Sequence, residues 1–476
     1  MWVFTDVSLD SPSEMETIDY QEKWLSTGNA LLLHLIHSMS MSMSKGDPRD
    51  MNNHRPISLL NVIYKIFTRI ITNRITSRLD ENQPREQAGF RKGYSTTDHL
   101  QTVNHIIEKT NEYKIPLIIA LVDYTKAFDS VETEEVMSAL EEQGVDSVYI
   151  NVLRHIYDHA TSFIRLHKDS EPFQLEKGVR QGDTSSPKFF TACLERAFRQ
   201  LNWLEKGIKI DGEYLSHLRF ADDIIIFAST KEELQQMLTE LNEASKSVGL
   251  HMNFRKTKIM RNEHTENADE ILEIENRQLE EVEYYIYLGQ QISRRDSSKV
   301  NEIKRRITLG WQAFGKASQV FKNKKIPIIL KRKVYNQCIL PTVTYGAETW
   351  NLTKKLSLKL RTMQRAHERI MLDLTWRDRK TSKWIRQRTK VKDILETISK
   401  LKWNWAGHIA KMTDNRWTSR TTFWTPRGYT RNRGRQKTRW RDDLDQHKRQ
   451  WHRTAKDRSL WKNLGKAYIQ QRTFEG

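Results

Sequence analysis

Two aliphatic runs in this chain break off at carboxylates, and that coincidence limits the fold more than any other feature. Leu117 to Asp123 is a continuous apolar run with the length of a buried central strand, and it ends in an acid. Arg219 to Ala228, RFADDIIIFA, sets two short apolar runs on either side of Asp222 and Asp223, the pattern of a hairpin with acid at its tip. An ionised carboxylate at the edge of an aliphatic strand is costly to bury unless a cation or a hydrogen-bond network holds it. If the two strands are neighbours, three carboxylates meet at one rim of a sheet. That arrangement suits two hard, oxygen-preferring ions such as Mg²⁺ about 4 Å apart. Each piece alone has an ordinary reading: a paired Asp at a hairpin tip is turn chemistry, and a lone Asp at a strand end is a cap. Their conjunction points to metal-assisted phosphoryl transfer.

The surrounding periodicity predicts mixed α and β structure. Apolar residues recur at helical spacing from Ile57 to Leu79, and Thr133 to Glu142, Pro187 to Leu201 and Lys231 to Val248 read as further helices. Residues 163 to 177 read as a hairpin and Tyr285 to Ile292 as strand. Beyond Asn301 the pattern is almost wholly helical, with Pro327 and Pro341 as boundaries. The first 45 residues, with a low-complexity MSMSMS run, carry no assigned chemistry.

Charge is unevenly spread. Residues 1 to 300 carry 35 Lys plus Arg against 47 Asp plus Glu, whereas residues 301 to 476 carry 44 against 13, so the whole net charge of +19 originates in the last third. Eleven of the 14 tryptophans lie from Trp311 onward. A cationic region studded with aromatic faces suits phosphate neutralisation with base stacking; the alternative is a basic helical bundle with tryptophan in its own core. The stretch Arg427 to Arg441, RGYTRNRGRQKTRWR, lacks the periodicity to fold alone. It reads as a loop that clamps a nucleic-acid backbone through Arg431, Arg433, Arg435, Lys437, Arg439 and Arg441, or else as a solvated tail. Two cysteines cannot build a disulfide framework, no zinc-ligand spacing occurs, and the apolar stretch Ala30 to Ile36 is far shorter than the roughly 20 residues that span a bilayer. Zinc, secretion and membrane insertion are not expected.

Seven blocks, in order, resemble a reverse transcriptase of the non-LTR (LINE-type) retrotransposon class. They are KGDPRDMNNHRPISLLNVIYKIFTRII (45 to 71), EQAGFRKGYSTTDHL (86 to 100), LVDYTKAFDSV (121 to 131), GVRQGDTSSPKFF (178 to 190), FADD (220 to 223), NFRKTK (253 to 258) and YLG (287 to 289). The resemblance implies that Asp123, Asp222 and Asp223 are catalytic metal ligands and that Asp129 is structural. Phe128 then occupies the steric gate against a 2′-hydroxyl. Gln181 and Gly182 meet the incoming nucleotide, and Arg55 and Arg91 meet triphosphate or template, with a surface ion pair as the alternative. Lys258, or in second place Lys256, protonates the leaving pyrophosphate. Tyr287, Leu288 and Gly289 form the primer grip. The family usually reads GDPLSPLLF after RQ; here Thr184 and Lys188 depart from it, which puts activity rather than fold in doubt.

The resemblance implies an α+β right-hand polymerase, with fingers, a palm of antiparallel sheet, a helical thumb and a basic, mainly helical C-terminal extension. The expected division is 1 to 45 of unassigned role, 46 to 292 fingers and palm, 293 to 375 thumb, and 376 to 476 extension. The implied cofactor is Mg²⁺, two ions, with Mn²⁺ as substitute. The implied partners are an RNA template, a DNA primer, dNTPs and a separate endonuclease, because no nuclease signature accompanies these blocks. The implied location is the nucleus or a cytoplasmic ribonucleoprotein. A catalytically inactive nucleic-acid-binding protein derived from such an element is the rival reading.

Overall fold

The computed structural model describes residues 38–44, 54–164, 170–265, 272–294, 298–431, 434 and 437–474; for 38–44, 54–57, 298, 376 and 473–474 it describes backbone alone. The chain divides into two compact units, each assembled from separated stretches. One comprises Met1–Pro84, Tyr124–Asn202 and Glu240–Met252, the other Arg85–Asp123, Trp203–Thr239 and Asn253–Gly476.

The larger unit is built on a five-stranded sheet. Its order is Glu280–Glu281, Lys258–Arg261, Ile118–Val122, Asp223–Ala228, His217–Phe220. All pairings are antiparallel except that of the short edge strand Glu280–Glu281, which runs parallel to its neighbour. Every residue of Ile118–Val122 is buried, as a central strand without a polar face requires. Helix Thr96–Tyr113 covers the sheet with Leu100, Val103, Ile106 and Ile107, which share one core with Ile119, Leu121, Ile225 and Phe227. Trp417 and Trp424, from the basic C-terminal region, belong to the same core. At about 1.5–3 kcal/mol for each fully buried large apolar side chain, such residues make that region integral to the sheet domain.

Beyond the sheet the unit is helical, as the periodicity predicts. Ser298–Lys316, Lys354–Met371 and Ile394–Ile409 close over a second core that includes Phe314, Tyr335, Val343, Trp350 and Leu360. A third core gathers Trp403, Trp440, Trp451, Trp461 and Tyr468, with Trp403 stacked on Trp461 at 3.8 Å between ring centroids. The tryptophans therefore follow the core alternative: seven of the eleven are buried here and offer no face to a base.

The smaller unit carries a four-stranded sheet in the order His54–Leu59, Ser38–Ser44, Thr161–Ile164, Phe173–Gln174, together with helices Val62–Glu81, Thr133–Glu142, Ser147–Asp158 and Ser186–Arg199. The helix expected from Ile57 starts later. Pro56 holds the preceding backbone extended, and Asn61 caps the helix by accepting from the Ile63 N–H at 2.9 Å. The Ser-Met repeat, given no role from sequence, is a strand whose strict alternation matches the strand period.

Candidate active site

The register of the central pair is Val122 opposite Ile224, so one step further along the ladder Asp123 faces Asp223 at the rim. Directly opposed residues have Cα atoms about 4.5–5.5 Å apart, which brings the two acids together. Asp222 occupies the turn of the hairpin between His217–Phe220 and Asp223–Ala228. The electrostatics agree with this placement. Burial in the rim, then Asp222, then Asp123, push the Asp223 carboxyl up to about 6, although part of the side chain reaches solvent. The Tyr285 phenol is raised by burial, Asp123 and Asp223, and that of Tyr287 by burial and Asp223, which puts both tyrosines beside the same acids.

The hairpin tip is held from below by residues to which sequence reasoning gave no role. Ala221 opens the turn with a φ of +58°, a costly conformation for a residue other than glycine. Gln87 is fully buried, and its side-chain oxygen accepts from the Ala221 N–H at 3.2 Å and the Gly89 N–H at 2.8 Å. Ala88 N–H donates to the Arg219 carbonyl at 2.9 Å, and Arg219 N–H to the Glu86 carbonyl at 2.8 Å, extending the sheet past its edge. A Cβ on Gly89 would stand 2.4 Å from the Ala221 nitrogen, so only glycine fits. The block EQAGF is a clasp for the acidic turn. Its signal was present in the sequence as an apolar-flanked Gln and Gly, but without a contact to attach them to.

The lysine at the acids is Lys256. Its ammonium lies 3.6 Å from the Asp123 carboxylate, while Lys258 sits in the strand opposite Leu121 and pairs with Glu280 at 2.6 Å. Of the two lysines, it is Lys256, the second choice from the resemblance, that pairs with an acid of the rim. Asn253 N–H donates to the Asp123 carbonyl at 2.8 Å, and Asp123 N–H to the Thr257 hydroxyl at 3.3 Å, so the NFRKTK loop is laced to the end of the central strand. Arg91 turns back on its own loop, donating to the Gln87 carbonyl at 3.0 Å and lying over the Tyr94 ring at 4.5 Å. The side chain of Arg55 lies outside the described residues.

Leu288 and Gly289 make a two-residue hairpin turn after Tyr287, which pairs with Gln290, with φ of +44° at Leu288 and +75° at Gly289. Tyr287 is buried in the sheet core. Tyr345 donates to the Leu288 carbonyl at 2.9 Å, and Arg305 and Arg306 both donate to that of Gly289. Buried Glu302 orients both arginines and also accepts from the Gln291 N–H at 2.9 Å. Three side chains thus hold the two carbonyls of this turn, the one that the family resemblance assigns to the primer grip.

In the smaller unit, Phe128 stacks on Phe190 with ring centroids 4.4 Å apart. Gln181 donates to Asp129 at 3.3 Å, and its carbonyl accepts from the Ser58 N–H at 2.9 Å. A Cβ on Gly182, whose φ is +115°, would meet the Ser58 carbonyl at 2.6 Å. The two departures from the family pattern are accommodated here: the Thr184 hydroxyl meets that of Thr68 at 3.1 Å, and Lys188 pairs with Asp80.

Residues 43–292 match the family model "Reverse transcriptase (RNA-dependent DNA polymerase)". The chain belongs to this reverse transcriptase family. It is 34% identical over 273 residues to a putative uncharacterized transposon-derived protein of Caenorhabditis elegans, covering 53% of this chain and 96% of that one. It is 28% identical over 229 residues to the retrovirus-related Pol polyprotein of the type-2 retrotransposable element R2DM of Drosophila melanogaster, covering 47% and 21%. Over 379 residues it is 23% identical to the probable RNA-directed DNA polymerase of the Drosophila transposon X-element, covering 76% and 40%. The chain spans only a fifth to two fifths of these two element polyproteins. Its five-stranded sheet, bearing Asp123, Asp222 and Asp223 at one rim, is the palm of this reverse transcriptase domain.

The rim also bears on the metal. Among the described residues no three His, Cys, Asp or Glu side chains stand close enough to form a complete cage. The donor set nevertheless fits a hard divalent ion: it is all oxygen, and it gathers like charges that raise the Asp223 carboxyl. Mg²⁺ commonly takes one or two protein carboxylates and completes its shell with water and substrate phosphates.

Of the six cations expected to grip a nucleic acid, Arg433 and Arg435 lie outside the described residues. Arg431 and Arg439 instead pair with Glu112, and Arg441 pairs with Asp445 at 2.7 Å. Trp440 between them is buried and donates to the Glu348 carbonyl at 2.7 Å. This end of the arm is pinned to the protein, which leaves exposed Lys437 as its one described cation without an assigned ion pair.

Proposed function

We propose that this reverse transcriptase chain extends a primer 3′-end with dNTPs on an RNA template, releasing pyrophosphate. The carrying observation is that Asp123 and Asp223 adjoin the paired Val122 and Ile224 at the palm rim, with the Asp223 carboxyl raised by burial and then by Asp222 and Asp123. Such a cluster would be relieved by Mg²⁺ or Mn²⁺ held by Asp123, Asp223 and Asp222, and these ions would supply a lowered pKa at the primer hydroxyl and neutralisation of the leaving phosphates. The protein's own share is positional. Gln87 holds the acidic turn, the Leu288–Gly289 turn sets the primer end, and Lys256 presents a protonated amine beside Asp123 for the leaving group. Phe128, Gln181, Gly182, Arg55 and Arg91 keep the nucleotide-side roles that the family resemblance supplies. Thumb and extension would divide near residue 375, and a separate endonuclease and a nuclear or ribonucleoprotein location belong to the same proposal.

Primer extension with purified protein and Mg²⁺ tests it. Incorporation by the natural chain, reduced at least ~10³-fold in Asp222→Ala, supports the reading; equal incorporation by both proteins, or none by either, defeats it. Lys256→Leu should lose about 10²-fold or more and Lys258→Leu far less, since only the first removes a positioned proton donor.

A further inference from the structure

A second candidate site lies at the other end of the palm strands. A cleft of about 650 Å³ opens where Ser229 follows Asp223–Ala228 and Ile115 precedes Ile118–Val122. At about 3.3 Å per residue, the six residues of the strand put it roughly 20 Å from the acidic rim. One wall is the hairpin Ile208–Ile210 and Glu213–Leu215, carrying Lys209 and Tyr214. The other is the segment after helix Trp417–Phe423, carrying Trp424, Arg427 and Tyr429.

The walls are fixed to one another. Arg420 donates to the Ile210 carbonyl at 2.9 Å and pairs with Glu213, tying the helix to the hairpin. Beneath them Lys109 donates to the carbonyls of Thr421 and Trp424 and lies 5.7 Å from the Trp424 ring centroid. Burial lowers that ammonium to about 7, yet the carbonyls it caps are held.

The lining has a definite chemistry. Lys209 and Arg427 are exposed, and the Lys209 ammonium stands 5.2 Å from the Tyr214 ring centroid. Tyr429 is 49% exposed, so its ring is available, in contrast to the buried tryptophans. Asp211 is the single carboxylate in the lining. Cations for phosphates, interleaved with rings for bases and without a stereospecific donor array, are what a strand of unpaired nucleotides requires. We propose that this cleft is a non-catalytic binding site for single-stranded nucleic acid, separate from the polymerase centre and from the pinned end of the arginine arm.

The test uses the full chain and labelled 12-nucleotide oligo(rA) and oligo(dA), followed by fluorescence anisotropy over a range of salt. Lys209→Ala with Arg427→Ala should weaken binding about tenfold or more and reduce the slope of log K against log salt by about 1.4, that is about 0.7 for each lost phosphate contact on a single strand. Tyr214→Ala and Tyr429→Ala should each weaken it about fivefold or more. Equal binding of RNA and DNA, or preference for either, supports the site; preference for duplex over both single strands overturns it. So does an unchanged affinity and slope in a double variant that retains the natural melting temperature. Photocrosslinking of a 4-thiouridine oligonucleotide gives an independent reading: adducts in 207–214 or 424–429 are expected, and adducts confined to other segments contradict the assignment. Because the readout is binding, failed incorporation by the natural chain would leave this result unaffected.

Discussion

Asp223, at the palm rim and partly open to solvent, and Asp443, enclosed in the C-terminal region, are carboxylates of the larger unit with opposite fates. At Asp443 burial alone would raise the carboxyl, but Lys402 at 2.9 Å and Arg472 outweigh it, and Tyr468 donates a further hydrogen bond at 2.9 Å, so the group is held below its ordinary range. At Asp223 burial acts in the same direction, yet the strongest charged neighbours are Asp222 and Asp123, so the carboxyl rises to about 6. Asp443 is neutralised by two cations of its own region, whereas at the palm rim the charged groups acting on Asp223 are carboxylates. A charge compensated within the protein is architecture, whereas a repulsive cluster is kept for a ligand.

That contrast can be broken by substitution. Asp223→Asn should abolish incorporation, by at least ~10³-fold, without lowering the melting temperature at pH 7. The sign follows from the raised carboxyl: its contribution to stability is present below the ordinary carboxylate range and lost as pH rises through about 6, so the neutral amide removes a repulsion. Lys402→Ala should do the reverse, costing ~1–3 kcal/mol of stability by leaving Asp443 with Arg472 and Tyr468 alone, as read by chemical denaturation. Loss of fold in Asp223→Asn, or indifference in Lys402→Ala, would erase the distinction.

Smaller effects sharpen it. Gln87→Ala, measured by single-turnover primer extension, should reduce the rate about 10- to 100-fold while far-ultraviolet dichroism is unchanged, because the clasp orients the acidic turn without touching substrate. The apparent Kd for Mg²⁺ should rise, by up to about tenfold per pH unit, as pH falls below about 6 and protons compete for Asp223; Asp223→Asn should flatten that dependence.

The sequence made the palm legible because its two strands are unbroken aliphatic runs that end in acid, and Asp123 and Asp223 lie where that pattern puts them. The helices beyond Asn301 also follow their periodicity, whereas Tyr285 to Ile292, read as a single strand, is a hairpin of Tyr284–Tyr287 and Gln290–Ser293 with Leu288 and Gly289 at its turn. Features decided by long-range contact were not legible. Nothing near Gln87 announces that its partner is Ala221, and nothing near Arg439 announces Glu112, 327 positions earlier. The choice between Lys256 and Lys258 depends on where each falls relative to the strand Lys258–Arg261: Lys256 lies in the turn before it and Lys258 is its first residue, a difference that the motif alone leaves open. Tryptophan beside Lys or Arg reads alike whether it stacks on bases or fills a core, and here buried area settled it.

Mn²⁺ binding counted by electron paramagnetic resonance in the presence of a dNTP tests most directly the proposal that Asp123, Asp222 and Asp223 hold divalent ions at the palm rim. Two ions per chain in the natural protein, and a loss of at least one in both Asp123→Asn and Asp223→Asn, is the predicted result. The same count in all three proteins would contradict it.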